Sequence, residues 1–251
     1  MCSFIQVNYL IDEAANTGKG ANAIISMLHH FFSTHGLGET TLHLHADNCS
    51  GQNKNKFVMQ YLVWRVLARL NKDIELSFMV AGHTKFSPDW CFGLFKRAFR
   101  RAKVGCLDDI VRVVESSAVV NHAQLVATQE GKVLVPTFDW ASYLQPLFIT
   151  NPFIGIKALP HFYFSAAKPG SVIVRVSPDS TPQELRVVRD EDWQPSADEL
   201  PPIIHPPGLS FERKKYLYEK IREFCPEECQ DIVCPEPTVS LPPPSKRQKS
   251  S

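Results

Sequence analysis

The chain is 251 residues long with a formal net charge of +1, enough for a sizeable core in one large or two small domains. Its 44% apolar and 21% charged residues match a globular protein, and the near-zero net charge excludes a uniformly basic nucleic-acid binder. Any anion-binding surface must therefore be a local patch.

Residues 5–11 (I-Q-V-N-Y-L-I) predict a strand. Asp12 and Glu13 interrupt the early apolar residues before a signal-peptide core can form. The apolar stretch 24–32 contains His29 and His30 and is too short to span a bilayer. The seven cysteines are odd in number and scattered, which reads as reduced thiols. The expectation is a soluble intracellular chain, nuclear or cytoplasmic, with no membrane partner. Asn48-Cys49-Ser50 matches a glycosylation acceptor only by chance on that reading.

The segment Asn16–Gly20 reads as a turn, and 21–33 has the apolar spacing of a short helix ended by Gly36 and Gly38. Thr17-Gly18-Lys19-Gly20 lacks the earlier glycine and the following Ser/Thr of a phosphate loop. Residues 41–46 (T-L-H-L-H-A) predict a core strand. A helix over 54–70 puts Phe57, Tyr61, Trp64 and Ala68 on one face, with Val58, Leu62, Val66 and Leu70 beside them, so it should be largely buried. Residues 74–81 predict another strand, closed by Gly82. Ser87-Pro88 then starts a helix running to about Lys103, with Asp89 in its first turn, where the helix dipole favours a carboxylate. This alternation predicts an α/β layered domain with parallel strands.

From Leu107 the pattern changes. L-D-D-I-V-R-V-V-E is a short amphipathic helix, and D-W-A-S-Y-L a helix capped by Asp139. Hairpins are expected around Gln129-Glu130-Gly131 and, better, around Lys168-Pro169-Gly170. Beyond about 190 prolines multiply, and only 210–224 looks helical, within an extended or disordered tail. The tail ends in a short basic run, Ser245–Lys249, a weak candidate for a nuclear-import signal. Cys225, Cys229 and Cys234 with His205 match no common zinc spacing.

Two strings concentrate the chemistry: H-A-D-N-C-S-G-Q-N-K-N at 45–55 and G-H-T-K-F-S-P-D-W at 82–90. Each ends a predicted strand and delivers an acid, Asp47 or Asp89, before the next helix. Together with C-F-G at 91–93, they resemble the uncharacterised domain of transposon-encoded and transposon-derived, transposase-like proteins with an RNase H-like fold. The similarity extends from Val7 to about Arg189, with Y-L-Y-E-K-I-R-E-F-C at 216–225 as a further shared segment.

The resemblance implies an α/β fold: an incomplete RNase H-like layered domain over 1–105, a small β-containing α+β module over 106–190, and a Pro-rich tail over 191–251. It implies Asp47 and Asp89 as catalytic and metal-ligating positions for Mg²⁺ or Mn²⁺, and His83 as a group that orients water or touches phosphate. On that alignment 5–11 is the third strand, and a first aspartate with two earlier strands is missing ahead of it. The expectation is an inactive chain with a weak metal site.

Each role has a plainer alternative. Asp47 could bond the backbone of the following turn, Asp89 could serve the helix dipole, and His83 could be a core histidine. Gln52, Asn53 and Asn55 are donors for a phosphate or the carboxylates, or solvated loop residues. Lys96, Arg97, Arg100, Arg101 and Lys103 make five of the eight residues at 96–103 basic. With Leu94, Phe95, Ala98 and Phe99 inward, they form a phosphate-tracking face or a solvated one. The partner expected is nucleic acid, DNA first, or a nuclear protein. An active metal-dependent nuclease or strand transferase and a non-catalytic interaction scaffold are the competing functions.

Overall fold

A computed structural model describes residues 4–49, 51–79 and 87–237. The chain begins with β1 (Gln6–Leu10), α1 (Ala21–His35), β2 (Thr41–Ala46), α2 (Lys56–Leu67), β3 (Asp73–Phe78) and α3 (Ser87–Phe99), the alternation that the sequence predicts. It continues through α4 (Leu107–Ser117), β4 (Asn121–Leu125), β5 (Thr137–Phe138), α5 (Trp140–Leu144), β6 (His161–Ser165), β7 (Ser171–Arg175), β8 (Gln183–Arg186), β9 (Ile203–Ile204), α6 (Phe211–Tyr216) and α7 (Glu227–Val233). The fold is mixed α/β. Among the described residues no helix is long and apolar enough to cross a membrane.

The main sheet has five strands in the order β2-β3-β6-β7-β8. β2 and β3 run parallel, pairing Leu44 with Leu76, and the remaining neighbours are antiparallel. Alternation decides which face is covered: Ile74, Leu76 and Phe78 are buried together with Phe162, Phe164, Val172 and Val174, while Glu75 is exposed. α2 packs against β3 and β6 and is flanked by α1 and α5. Its residues Val58–Val66 are all buried, as expected of a helix apolar on nearly every side. Tyr61, Trp64 and Trp140 pack with ring centroids 4.9 to 5.8 Å apart. A large side chain so enclosed contributes roughly 1.5–3 kcal/mol.

β1 stands apart. It pairs only with β4, in parallel, as a separate two-stranded sheet, and every one of its residues is half-buried.

Several expectations need correction. The boundary expected near residue 105 is not a break. β6–β8 extend the sheet begun by β2 and β3, and β4 supplies the partner of β1. The second edge of β3 carries backbone groups that need partners, and the β6–β7 hairpin provides them. That hairpin turns at Lys168-Pro169-Gly170 as expected, with Gly170 at φ +72°, the positive value that a glycine after proline tolerates. The turn at Gln129–Gly131 closes only one bridge, Ala127 to Val133.

The proline-rich segment is not loose as far as 237. β9 pairs with β5, Pro202 O accepts from Asp139 N at 2.8 Å, and Arg213 clasps Glu13 with two bonds of 2.8 Å. The helix expected over 210–224 starts at the Ser210 cap, and α7 follows it unforeseen. Prolines there interrupt helices without preventing packing. The basic run 245–249 lies outside the described residues.

Candidate functional site

The loop after β2 is shaped by its own polar side chains. Asp47 Oδ1 accepts from Cys49 N at 3.2 Å and from Asn53 Nδ2 at 2.6 Å. The backbone amides of Gln52, Asn53 and Lys54 all converge on Cys49 O, at 3.2, 2.9 and 3.0 Å. Asn48 Nδ2 donates to Met79 O just beyond β3, tying the ends of the parallel pair together.

Lys54 is the residue that motif reading missed. It is buried, donates to Asn48 Oδ1 and to Lys157 O at 2.9 Å each, and lies over the Phe78 ring at 4.8 Å. Burial pulls its ammonium below the ordinary lysine range, since desolvation disfavours the charged form. Its signal was its place inside the conspicuous motif, directly before a helix buried on all sides.

Asp47 and Asp89 are brought to one cavity of about 710 Å³, whose wall also includes Tyr9, Met27, Phe31 and Leu44. Asp89 sits in the first turn of α3, as expected. Both carboxylates are exposed. Asp47 therefore meets the plainer alternative through Oδ1, while its Oδ2 has no partner among the described residues. His83 lies outside the described residues, as does Gly82.

Of the three amides expected at the site, only Asn53 reaches a carboxylate. Asn55 is the N-cap of α2, accepting from Phe57 N at 2.9 Å and Val58 N at 3.2 Å. That corrects its expected role: the oxygen caps the helix, because helix-start amides need acceptors, and the Nδ2 expected to serve a ligand donates to Gln52 O at 2.7 Å. Gln52 gives its amide to the turn and makes no side-chain bond among the described residues.

The donor set gives a partial match to Mg²⁺ or Mn²⁺. Two carboxylates offer the hard oxygen ligands these ions take. Among the described residues, however, no third carboxylate, histidine or cysteine closes around them. A catalytic metal pair needs more ligands than these two carboxylates.

The basic run lies fully on the surface, with Lys96, Arg97, Arg100, Arg101 and Lys103 all exposed. The helix ends at Phe99, four residues before the expected Lys103, and Arg100–Ala102 form a turn. Lys103 leaves the expected face and pairs with Glu228 at 3.6 Å. Cys91 is the residue that anchors α3 inward. Phe99, expected inward, is exposed like Trp90 and Phe92, and Lys96 lies over the Phe92 ring at 5.6 Å. The surface of α3 therefore interleaves cations with aromatic rings.

Behind the cavity, Tyr9 Oη donates to Met27 O at 3.0 Å and meets His30 Nδ1 at 2.9 Å, and burial lifts its phenol to about 12. His29 Nδ1 meets Tyr61 Oη at 3.0 Å, and Arg65 reaches the same hydroxyl at 3.1 Å. Burial first, then the Arg65 charge, lowers His29 to about 4. Tyr61 is raised by burial to about 12.

These features define a mixed α/β domain in which two acids, one after β2 and one in the first turn of α3, line one cavity. Residues 5–181 match the model of the family described as Domain of unknown function (DUF7869), and the chain belongs to that family. No curated protein and no solved structure matches the chain.

Proposed function

We propose that this chain is a transposon-derived, RNase H-like, nucleic-acid-associated domain whose two-carboxylate metal site is incomplete. The observation that carries the reading is the meeting of Asp47 and Asp89, from two separate strand–helix junctions, on one cavity. The order β1-α1-β2-α2-β3-α3 with a parallel β2–β3 pair supports the ancestry. So does the cavity between β1 and β2, which borders strand edges with no other partner among the described residues.

α3 is the binding element. Guanidinium groups track phosphates through charge, and exposed rings stack on unpaired bases. A protein-interaction role is the second reading, favoured by the exposure of Trp90, Phe92 and Phe99.

The test uses the full chain with labelled single-stranded and duplex DNA. No robust cleavage is expected with Mg²⁺ or Mn²⁺, and weak Mn²⁺ binding should be abolished in Asp47→Asn. DNA affinity should fall with rising salt. In Arg97→Ala/Arg100→Ala/Arg101→Ala the log–log salt slope should flatten by about 0.9 for each duplex phosphate no longer neutralised. Robust cleavage removed by Asp47→Asn overturns the inactive reading. Absent or salt-insensitive binding overturns the nucleic-acid role and favours the protein partner.

A further inference from the structure

Far from the acid pair, three potential ligands converge where α7 lies against the start of α4. Asp109 Oδ2 accepts from Gly105 N at 2.8 Å and Cys106 N at 3.0 Å, and the Cys106 thiol approaches the same oxygen at 3.6 Å. Cys229, buried in α7, comes down on this turn. A Cβ on Gly105 would lie 2.8 Å from Cys229 Sγ and 2.7 Å from Pro226 Cγ, so only glycine admits so close an approach. One ligand atom from each of Cys106, Asp109 and Cys229 lies within 4.8 Å of the others. The three cysteines near the C-terminus do not act as a set. Cys225 Sγ pairs with Cys234 Sγ at 3.8 Å, while Cys229 turns to Cys106.

We propose that Cys106, Asp109 and Cys229 bind a zinc ion that staples the C-terminal helices to α4. The donor chemistry selects the ion: thiolates suit zinc, whereas Mg²⁺ and Ca²⁺ take oxygen ligands. A tetrahedral site with Zn–S bonds of about 2.3 Å separates its sulfurs by about 3.8 Å, so the observed cluster needs little contraction. The Gly105 and Cys106 amides already orient the Asp109 carboxylate through its Oδ2. The Cys106 thiol sits at the N-cap of α4.

Metal binding at neutral pH releases the protons of both thiols, since the thiolate is the ligand form. Two Zn–S bonds form, two thiol protons pass to solvent, and no electron moves. The partial exposure of Cys106 and Asp109 leaves a fourth position for water. Arg112, paired with Asp109, is a cation beside the excess negative charge.

The test is metal analysis of the full chain purified under reducing conditions with zinc present, followed by cobalt substitution. One zinc per chain is expected, and the cobalt form should show thiolate-to-metal charge transfer. Affinity should fall at least about tenfold in Cys106→Ser and in Cys229→Ser but hold in Cys225→Ser and Cys234→Ser. A readout that needs no variant is alkylation mapped by mass spectrometry, where zinc should protect Cys106 and Cys229 more than Cys225 and Cys234. No bound zinc, equal protection of all four thiols, zinc retained in both Cys106→Ser and Cys229→Ser, or a Cys106–Cys229 disulfide in its place would overturn the proposal.

Discussion

Two regions of the molecule differ in how they are held. Around β3, β6 and β7 every strand has two neighbours, and one sheet face is sealed by α2 with the Tyr61–Trp64–Trp140 cluster behind it. Around β1 and β4 the sheet has two strands, and β1 has no fully buried residue. A two-stranded unit is marginal without packing partners, so this half depends on α4, which packs against β4 and α3, and on the Tyr9 bonds to α1. The two carboxylates lie along the seam between the halves. Asp47 is carried by the loop after β2 on the rigid side, whereas Asp89 is carried by α3, which packs with α4 on the weaker one.

The largest effect that would break this comparison is in the sealed half. Trp140→Ala should cost about 3–5 kcal/mol, because Trp140 is fully buried against Tyr61, Trp64 and His29. Tyr9→Phe, on the open side, removes one hydroxyl with two partners and should cost about 0.5–1.5 kcal/mol. Denaturant unfolding of both variants measures the contrast, and equal losses would erase the distinction.

Acid should act next, through His29. Its folded value, about 4, lies below the ordinary 6.5. The unfolded chain therefore binds the proton more readily, and stability is lost as pH falls from about 6.5 toward 4. At pH 5 the loss from this group is about 2 kcal/mol, a fall of roughly 4–8 °C in Tm for a chain of this size. Thermal melts at pH 7 and 5 on the chain and on His29→Gln check it: the variant should lose less on acidification.

A smaller effect tests the loop that carries Asp47. Asn55→Ala removes the cap of α2 and should cost about 1 kcal/mol, with weaker Mn²⁺ retention if the cap also fixes the Asp47 loop. The smallest concerns Lys215→Ala. Its pairing with Glu219 at 3.7 Å is exposed, and its loss should change stability by less than about 0.5 kcal/mol. A larger change in a thermal melt would mean that α6 is held more firmly than its surface suggests.

The elements with strong periodicity were legible in the sequence. Helix α2 showed its buried faces through Phe57–Leu70, strands β2 and β3 through alternation, and the β6–β7 turn through Pro169-Gly170. The bringing of Asp47 and Asp89 to one cavity was also readable, because both positions follow strand ends in a repeating α/β order. Pairing partners were not. Nothing local in 121–125 or 161–165 specifies that one joins β1 and the other β3, since that choice depends on which edge is left open. Side-chain roles were equally hidden: Asn55 serves a helix cap, Lys54 is buried between Asn48 and Lys157, and Cys229 meets Cys106.

By itself, then, the sequence determined α1, α2, the strands β1 to β3, the start of α3 with Asp89 and the β6–β7 hairpin, because local periodicity and turn chemistry act over a few residues. Only the tertiary structure decided that the sheet crosses residue 105, that the proline-rich segment packs back through β9 and Arg213, and that a thiol pair from distant segments closes on Asp109. These outcomes depend on satisfying strand edges, helix ends and buried polar groups all at once, a condition that no short window of sequence contains.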